Sequence, residues 1–248
     1  MKLNRKDISD WIIHFVHDRH PKDDMYVLAD NAKETALMEG DNVDVKIPHY
    51  FDKEGIPHDL SDSISDNEYP IDEDAAAFEV LKKIVHDGFI RSGWSFRNYA
   101  PTIYGPSSAV CFTEMPLYAL IDYAKERGTY SGYVGNYGIA FRKKELFAVG
   151  ARPVIYGLSS THKEVNEHHD GAKYGYRVLD PDCGLGLYEQ YRYVNTNLSR
   201  EKTIDWTHER EWRWPLRATE EWIAGLPFLL SDAWGPQFTD VLIIVNTV

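Results

Sequence analysis

Apolar positions along this chain fall into short runs separated by polar, glycine- and proline-bearing stretches. The clearest helical spacing lies over 75–87, where Ala77, Val80, Leu81, Ile84 and Val85 recur at intervals of three and four. Asp72 and Asp74 precede that run and suit a helix N-terminus, and Gly88 follows it as a stop. A second helix is predicted over 115–127, with Pro116 near its start and Gly128 at its end. Shorter helical segments are predicted over 31–38 and 143–149. Strands are predicted over 89–92, 109–113, 137–141, 153–156, 209–214 and 241–245. Residues 11–17 read equally as a strand or a short helix, as do residues 188–195. Residues 99–108 read as a loop, and 159–187 as a long excursion rich in histidine, glycine and polar groups.

The elements interleave without a regular strand–helix–strand alternation, which points to an α+β fold with a mixed or antiparallel sheet. No repeat is visible. One domain over 1–248 is the simplest organisation for 248 residues of which 43% are hydrophobic and 13% aromatic. Residues 40–74 depart from it as an irregular insert. It ends in a concentration of acid: Asp59, Asp62, Asp66, Glu68, Asp72, Glu73 and Asp74. That cluster is either a solvated surface or a partner-binding segment.

A net charge of −12 argues against broad attraction to nucleic acid, although a local basic groove stays open. No apolar run is long enough to span a bilayer, and the basic N-terminus is not followed by an uninterrupted signal core. The expected location is cytoplasmic, and no membrane partner is expected. Two cysteines, Cys111 and Cys183, fit a reducing compartment, with Cys111 read as a buried thiol.

Four constellations could carry chemistry. The first is 207–213, which runs Thr-His-Glu-Arg-Glu-Trp-Arg. In a continuous strand Glu209, Glu211 and Arg213 share one face, with the two carboxylates about 7 Å apart. Such a pair suits general-base work or stabilisation of a developing cation, and equally an ion-paired edge strand. The second is His14, set among Ile12, Ile13, Phe15 and Val16. It reads as a hydrogen-bonded core histidine or as a donor to a ribose or phosphate oxygen. The third is Arg91, Trp94, Phe96, Arg97 and Tyr99, where guanidiniums and rings fit a nucleotide or an ordinary strand and turn. The fourth is His162, His168, His169 and Asp170, a loop cluster without metal-site spacing, so no metal is expected. The chain lacks GxxxxGK[ST], GxGxxG and GxSxG patterns, which weighs against P-loop, dinucleotide-dehydrogenase and α/β-hydrolase readings.

The order of motifs resembles a known family. Ile13-His14-Phe15 is similar to an opening HF(T) strand, and 86–91 to an IL-x-x-G-x-I segment. Residues 110–117, VCFTEMPL, resemble a VCFTE-x-PL motif. Residues 137–143 and 150–156 resemble YGI-x-F-x-K followed by GA-x-PV-x-Y, and 209–213 resemble EREWR. Together they look like the AbiGi family of abortive-infection phage-resistance proteins, over about half of the chain. The insert at 40–74 and Val16, where the pattern often has threonine, depart from it.

The order of an early histidine, an arginine and a late glutamate on a strand is in turn similar to ADP-ribosyltransferase-like folds, including the DarT toxins. That resemblance implies an NAD-consuming ADP-ribosyltransferase or NAD glycohydrolase-like toxin in anti-phage defence. NAD would be the substrate. It implies His14 at a ribose, Arg91 or Arg97 at a phosphate, Thr113 in the dinucleotide site, and Glu211, or else Glu209, as the catalytic carboxylate. A protein or nucleic-acid acceptor and a cognate toxin or antitoxin partner are implied with it. The alternatives are a catalytically inactive, antitoxin-like binding protein and a metal-dependent nuclease using Glu209, Glu211 and the loop histidines.

Overall fold

The computed structural model describes residues 9–18, 50–51, 57–58, 72, 74–93, 95–97, 100–130, 137–159, 177–200, 203–216, 225–229 and 238–245. The expected helix over 31–38, most of the insert over 40–74 and the loop cluster His162, His168, His169 and Asp170 lie outside them. Within the insert, Tyr50–Phe51 and Pro57–His58 form a small antiparallel pair.

The frame is one six-stranded antiparallel sheet. Its strands are β1 (Trp11–Val16), β2 (Ala109–Thr113), β3 (Tyr137–Arg142), β4 (Arg152–Pro153), β5 (Glu211–Pro215) and β6 (Val241–Ile244). Their order is β6-β3-β1-β2-β5-β4, so the first and second strands sit at the centre. The ambiguous segment over 11–17 is therefore a strand. Its residues alternate between two buried faces, and that double burial masks the polar–apolar alternation by which a half-exposed strand is recognised.

One face carries Ile12 and Val16, Val110 and Phe112, Ile139 and Phe141, and Trp212 and Trp214. Helix α1 (Ala77–Asp87) covers it through Ala77, Leu81, Val80 and Ile84. The helix ends at Gly88, which takes the left-handed φ of 74° that the stop requires, and its N–H donates to the Ile84 carbonyl at 3.0 Å. Its first amide is satisfied from far away, by the Asp18 carboxylate at 2.8 Å from the Ala77 nitrogen. The opposite face carries Ile13 and Ala140 and is covered by Met115 and by Leu120 of α2 (Leu117–Tyr130). Helix α3 (Lys143–Ala148) follows β3 directly. No helix among the described residues is long and apolar enough to cross a membrane.

Two sequence expectations need correction. Residues 188–195 are neither one helix nor one strand: a 3-10 helix over Leu187–Arg192 runs into the strand Tyr193–Val194, which pairs in parallel with Ile155–Tyr156. The strand expected over 209–214 starts at Glu211, because Arg210 adopts a left-handed φ of 46° and closes the 3-10 turn Thr207–Glu209. A residue in that conformation cannot continue the pleat.

Three of the motif segments meet beside the central strands. The Glu114 carboxylate at the end of β2 accepts from Lys143 at the start of α3, and from the Trp212 indole N–H at 2.9 Å. The Lys143 ammonium also lies 5.5 Å from the Trp212 ring. This acid, conspicuous in the VCFTE run, is therefore absorbed by the frame.

Phe141 is fully buried, with the rings of Phe112, Phe228 and Phe238 around it. Phe141→Ala should cost about 3–5 kcal/mol of unfolding free energy. Urea denaturation followed by circular dichroism measures this; a loss under about 1 kcal/mol would mean that the face is not packed as described.

Candidate functional site

Pairing across the centre of the sheet aligns three residues in one row: Ile13 of β1 opposite Thr113 of β2, and Thr113 opposite Glu211 of β5. Cross-strand neighbours project to the same side, so Glu211 shares the α2 face with Thr113, and Arg213 shares it with Cys111.

Glu211 and Arg213 form a two-point ion pair. Nε donates to Oε1 at 2.7 Å and Nη2 to Oε2 at 3.3 Å. The guanidinium is 4% exposed, and Nη1 donates to the carbonyls of Tyr191 at 2.5 Å and Tyr193 at 3.2 Å. Burial works against its charge, but the Glu211 carboxylate beside it holds its pKa above the ordinary value. The Cys111 thiol lies against the same pair. Burial first, and then the Glu211 charge, push its pKa far up, so it is an inert thiol here.

Hydroxyl groups hold both glutamates, two at the backbone and one at a carboxylate. The Glu211 N–H donates to the Tyr156 hydroxyl at 2.7 Å. Burial, and the negative charge of Glu211 and Glu209, raise the Tyr156 phenol to about 12. Tyr123 of α2 donates to Glu209 Oε1 at 2.5 Å. The Thr113 hydroxyl donates to the Glu209 carbonyl at 2.5 Å and accepts from the Met115 N–H at 3.1 Å. The His208 ring packs against Tyr123 and Trp206, at 5.5 and 6.2 Å between centroids. Glu209 and Glu211 thus stand near one another through a turn, not by strand alternation.

His14 lies elsewhere. It is paired with Ile139 and packs edge-on against Phe112 at 5.8 Å, which puts it on the α1 face, the side away from Glu211. β1 and β2 pair at a single position, Ile13 with Thr113, whereas β1 pairs with β3 along all six residues. Beyond that position Gly93 of the chain after α1 takes the edge of β2 at Ala109. His14 bridges the opening: its Nδ1 lies 2.9 Å from the Cys111 carbonyl. A carbonyl only accepts, so Nδ1 carries the proton. Burial pushes the imidazole down to about 4, and it is neutral at ordinary pH. Its one N–H is spent on Cys111, so of the two readings of this histidine the structure shows the hydrogen-bonded core one. Gly138 keeps β3 close on the other side, since a Cβ there would come within 2.8 Å of the His14 carbonyl oxygen.

The two expected arginines stand on short strands outside the main sheet. Arg91 ends a strand, Phe89–Arg91, that pairs with Gly225–Pro227 outside the main sheet, with its guanidinium 5.8 Å from the Phe89 ring. This segment rejoins the sheet through Gly93 at the Ala109 end of β2, about 14 Å along the strand from Thr113. Arg97 stands on a two-residue strand paired with Ala100–Pro101. Among the described residues, Glu211 stands with Tyr156 and Glu209 on one side of the sheet and His14 is a buried imidazole on the other. Tyr123 and Tyr156 are functional-site candidates that sequence reasoning missed. Arg213 was legible as sharing a face with Glu211, and the ion-paired reading of that strand as one of two open ones. Comparison of the chain with protein-family models, curated proteins and solved structures finds no match.

The depressed pKa of His14 gives stability a defined pH dependence. The unfolded chain binds this proton below its ordinary value of 6.5, and the folded chain binds it only near 4. This contribution is complete above pH 6.5 and is lost as pH falls toward 4, by at most about 3 kcal/mol. Urea titrations of wild type and His14→Gln at pH 7 and pH 4.5 should show the larger drop in wild type; equal drops would mean that the imidazole is solvated.

Proposed function

We propose that this protein is an NAD-consuming ADP-ribosyltransferase or NAD glycohydrolase-like toxin of anti-phage defence, on an ADP-ribosyltransferase-like domain, with Glu211 as the carboxylate at the reacting sugar. The observation that carries this reading is the placement of Glu211 at the start of β5, beside the central strand β2, fixed through both side chain and backbone and preceded by a second glutamate on the turn before it. Arg213 holds both carboxylate oxygens, Tyr156 holds the amide, and Glu209 stands beside it on a turn clasped by Thr113 and Tyr123.

That arrangement fits the chemistry. When the bond between ribose C1′ and the nicotinamide nitrogen breaks, the electron pair leaves with the nitrogen, and the cationic ring departs as neutral nicotinamide. Positive charge then develops on C1′ and the ring oxygen of the sugar, and a fixed carboxylate close by lowers the cost of that charge. Water or an acceptor nucleophile closes the new bond to C1′ and gives up its proton. Each Glu211 oxygen can still accept a sugar hydroxyl while Arg213 holds it, since a carboxylate oxygen has two lone pairs. His14 takes no part in this step, because its N–H is committed to Cys111. The AbiGi resemblance supports the defence setting, where a protein or nucleic acid serves as acceptor.

One observation favours the antitoxin-like binding protein as a second reading. Arg213 neutralises the carboxylate from within the fold, as in a site closed on itself.

Purified protein should release nicotinamide from NAD. Glu211→Gln should lower the rate by about 10²–10³-fold while circular dichroism shows a folded chain. Glu209→Gln is the companion variant, should Glu211→Gln unfold. Unchanged turnover in a folded Glu211→Gln protein would remove Glu211 from the mechanism, and an inert wild type would leave the binding protein.

A further inference from the structure

We infer that Tyr156 is a substrate-touching residue of the same site: its hydroxyl donates to the ribose hydroxyl next to the one that Glu211 holds, so that the pair reads a cis-diol. This inference rests on the NAD-consuming reading. Tyr156 stands where the chain leaves the main sheet. Within β4 and the residues that follow it, Trp212 pairs with Pro153, the Val154 N–H donates to the Glu211 carbonyl at 3.1 Å, and the Tyr156 hydroxyl accepts from the Glu211 N–H. Both backbone groups of Glu211 on that edge are therefore met by residues two apart. From behind, Ile155 and Tyr156 pair with Tyr193 and Val194, and the Gly157 N–H donates to the Val194 carbonyl at 2.9 Å. The backbone is held by that pairing and the phenol oxygen by the Glu211 N–H, which together keep the hydroxyl at Glu211.

Its hydrogen-bonding capacity is only half used. A phenol accepts and donates. The oxygen accepts from Glu211, and no acceptor for the O–H proton is found among the described residues. With its pKa near 12, the group keeps that proton across the working range and serves as a donor. Beside it, Glu211 can only accept. A fixed donor next to a fixed acceptor matches two neighbouring hydroxyls, one giving its proton to the carboxylate and the other accepting from the phenol. The ribose of a dinucleotide offers that pair, and a sugar missing one hydroxyl does not. With Glu211 at the reacting C1′, the hydroxyl within its reach is the neighbouring 2′ one, and Tyr156 takes the 3′-hydroxyl.

The test compares NAD with its analogue lacking the 3′-hydroxyl on the nicotinamide-side ribose, in wild type and Tyr156→Phe. Wild type should have a kcat/KM about 10-fold higher for NAD than for the analogue, the worth of one buried hydrogen bond. Tyr156→Phe also strips the Glu211 amide of its partner and so lowers kcat/KM on both substrates, but about 10-fold more on NAD than on the analogue, which abolishes the discrimination. A purely structural role would lower both substrates equally, and that outcome overturns the inference while the NAD reading stands. Wild type that cleaves both substrates equally well overturns it without any mutation. Wild type inert toward NAD overturns the NAD reading, and this inference falls with it.

Discussion

A guanidinium buried in β5, the strand between β2 and the edge, is the constraint on which the site region depends. Arg213 cannot leave water unless its charge and its N–H groups are met. Glu211, two residues earlier on the same face, meets the charge, and the carbonyls of Tyr191 and Tyr193 meet the remaining edge. Those two requirements bring the 187–194 segment under the sheet. Once there, it gives Tyr156 a strand to lie along and completes the surroundings of Glu211. The pair is therefore an ordering device first. Its catalytic value, in the reading proposed above, comes from having already spent the conformational freedom of the carboxylate.

The same logic separates the two conspicuous groups that the sequence tempts one to unite. His14 and Glu211 are one row and two strands apart, yet face opposite ways, because successive residues on a strand alternate. The imidazole stands where β1 and β2 cease to pair, and it supplies through its side chain the bond that the Cys111 carbonyl lacks from β1. A neutral, low-pKa histidine suits that task better than a charged one, which would have to be desolvated against Phe112.

Much of this frame was legible in the chain. The spacing of Ala77, Leu81 and Ile84 and the glycine after it located α1 and its end, the apolar runs located β2, β3 and β6, and the charged, tryptophan-bearing segment 209–214 located β5. What sequence could not supply were contacts set by topology. Tyr123 reaches Glu209 across 86 residues, and Tyr156 reaches Glu211 across 55, with no local pattern to announce either. The strand expected over 209–214 starts two residues late for a different reason. Nothing in the residue types of Glu209-Arg210-Glu211 declares that Arg210 will turn left-handed, since tertiary clasps from Thr113 and Tyr123 favour the turn over the extended form.

The position of β1 in the middle of the sheet bears on how the molecule is made. Its partners lie far along the chain: the His14–Cys111 contact spans 97 residues, and β3 comes later still. Contacts so distant in sequence carry a large loop-closure entropy and slow the search for the native state. As the chain leaves the ribosome, the segment Trp-Ile-Ile-His-Phe-Val emerges early and waits, apolar on both sides, until both neighbours have been synthesised. Such a segment is a ready ligand for a chaperone and a hazard for aggregation when synthesis is fast.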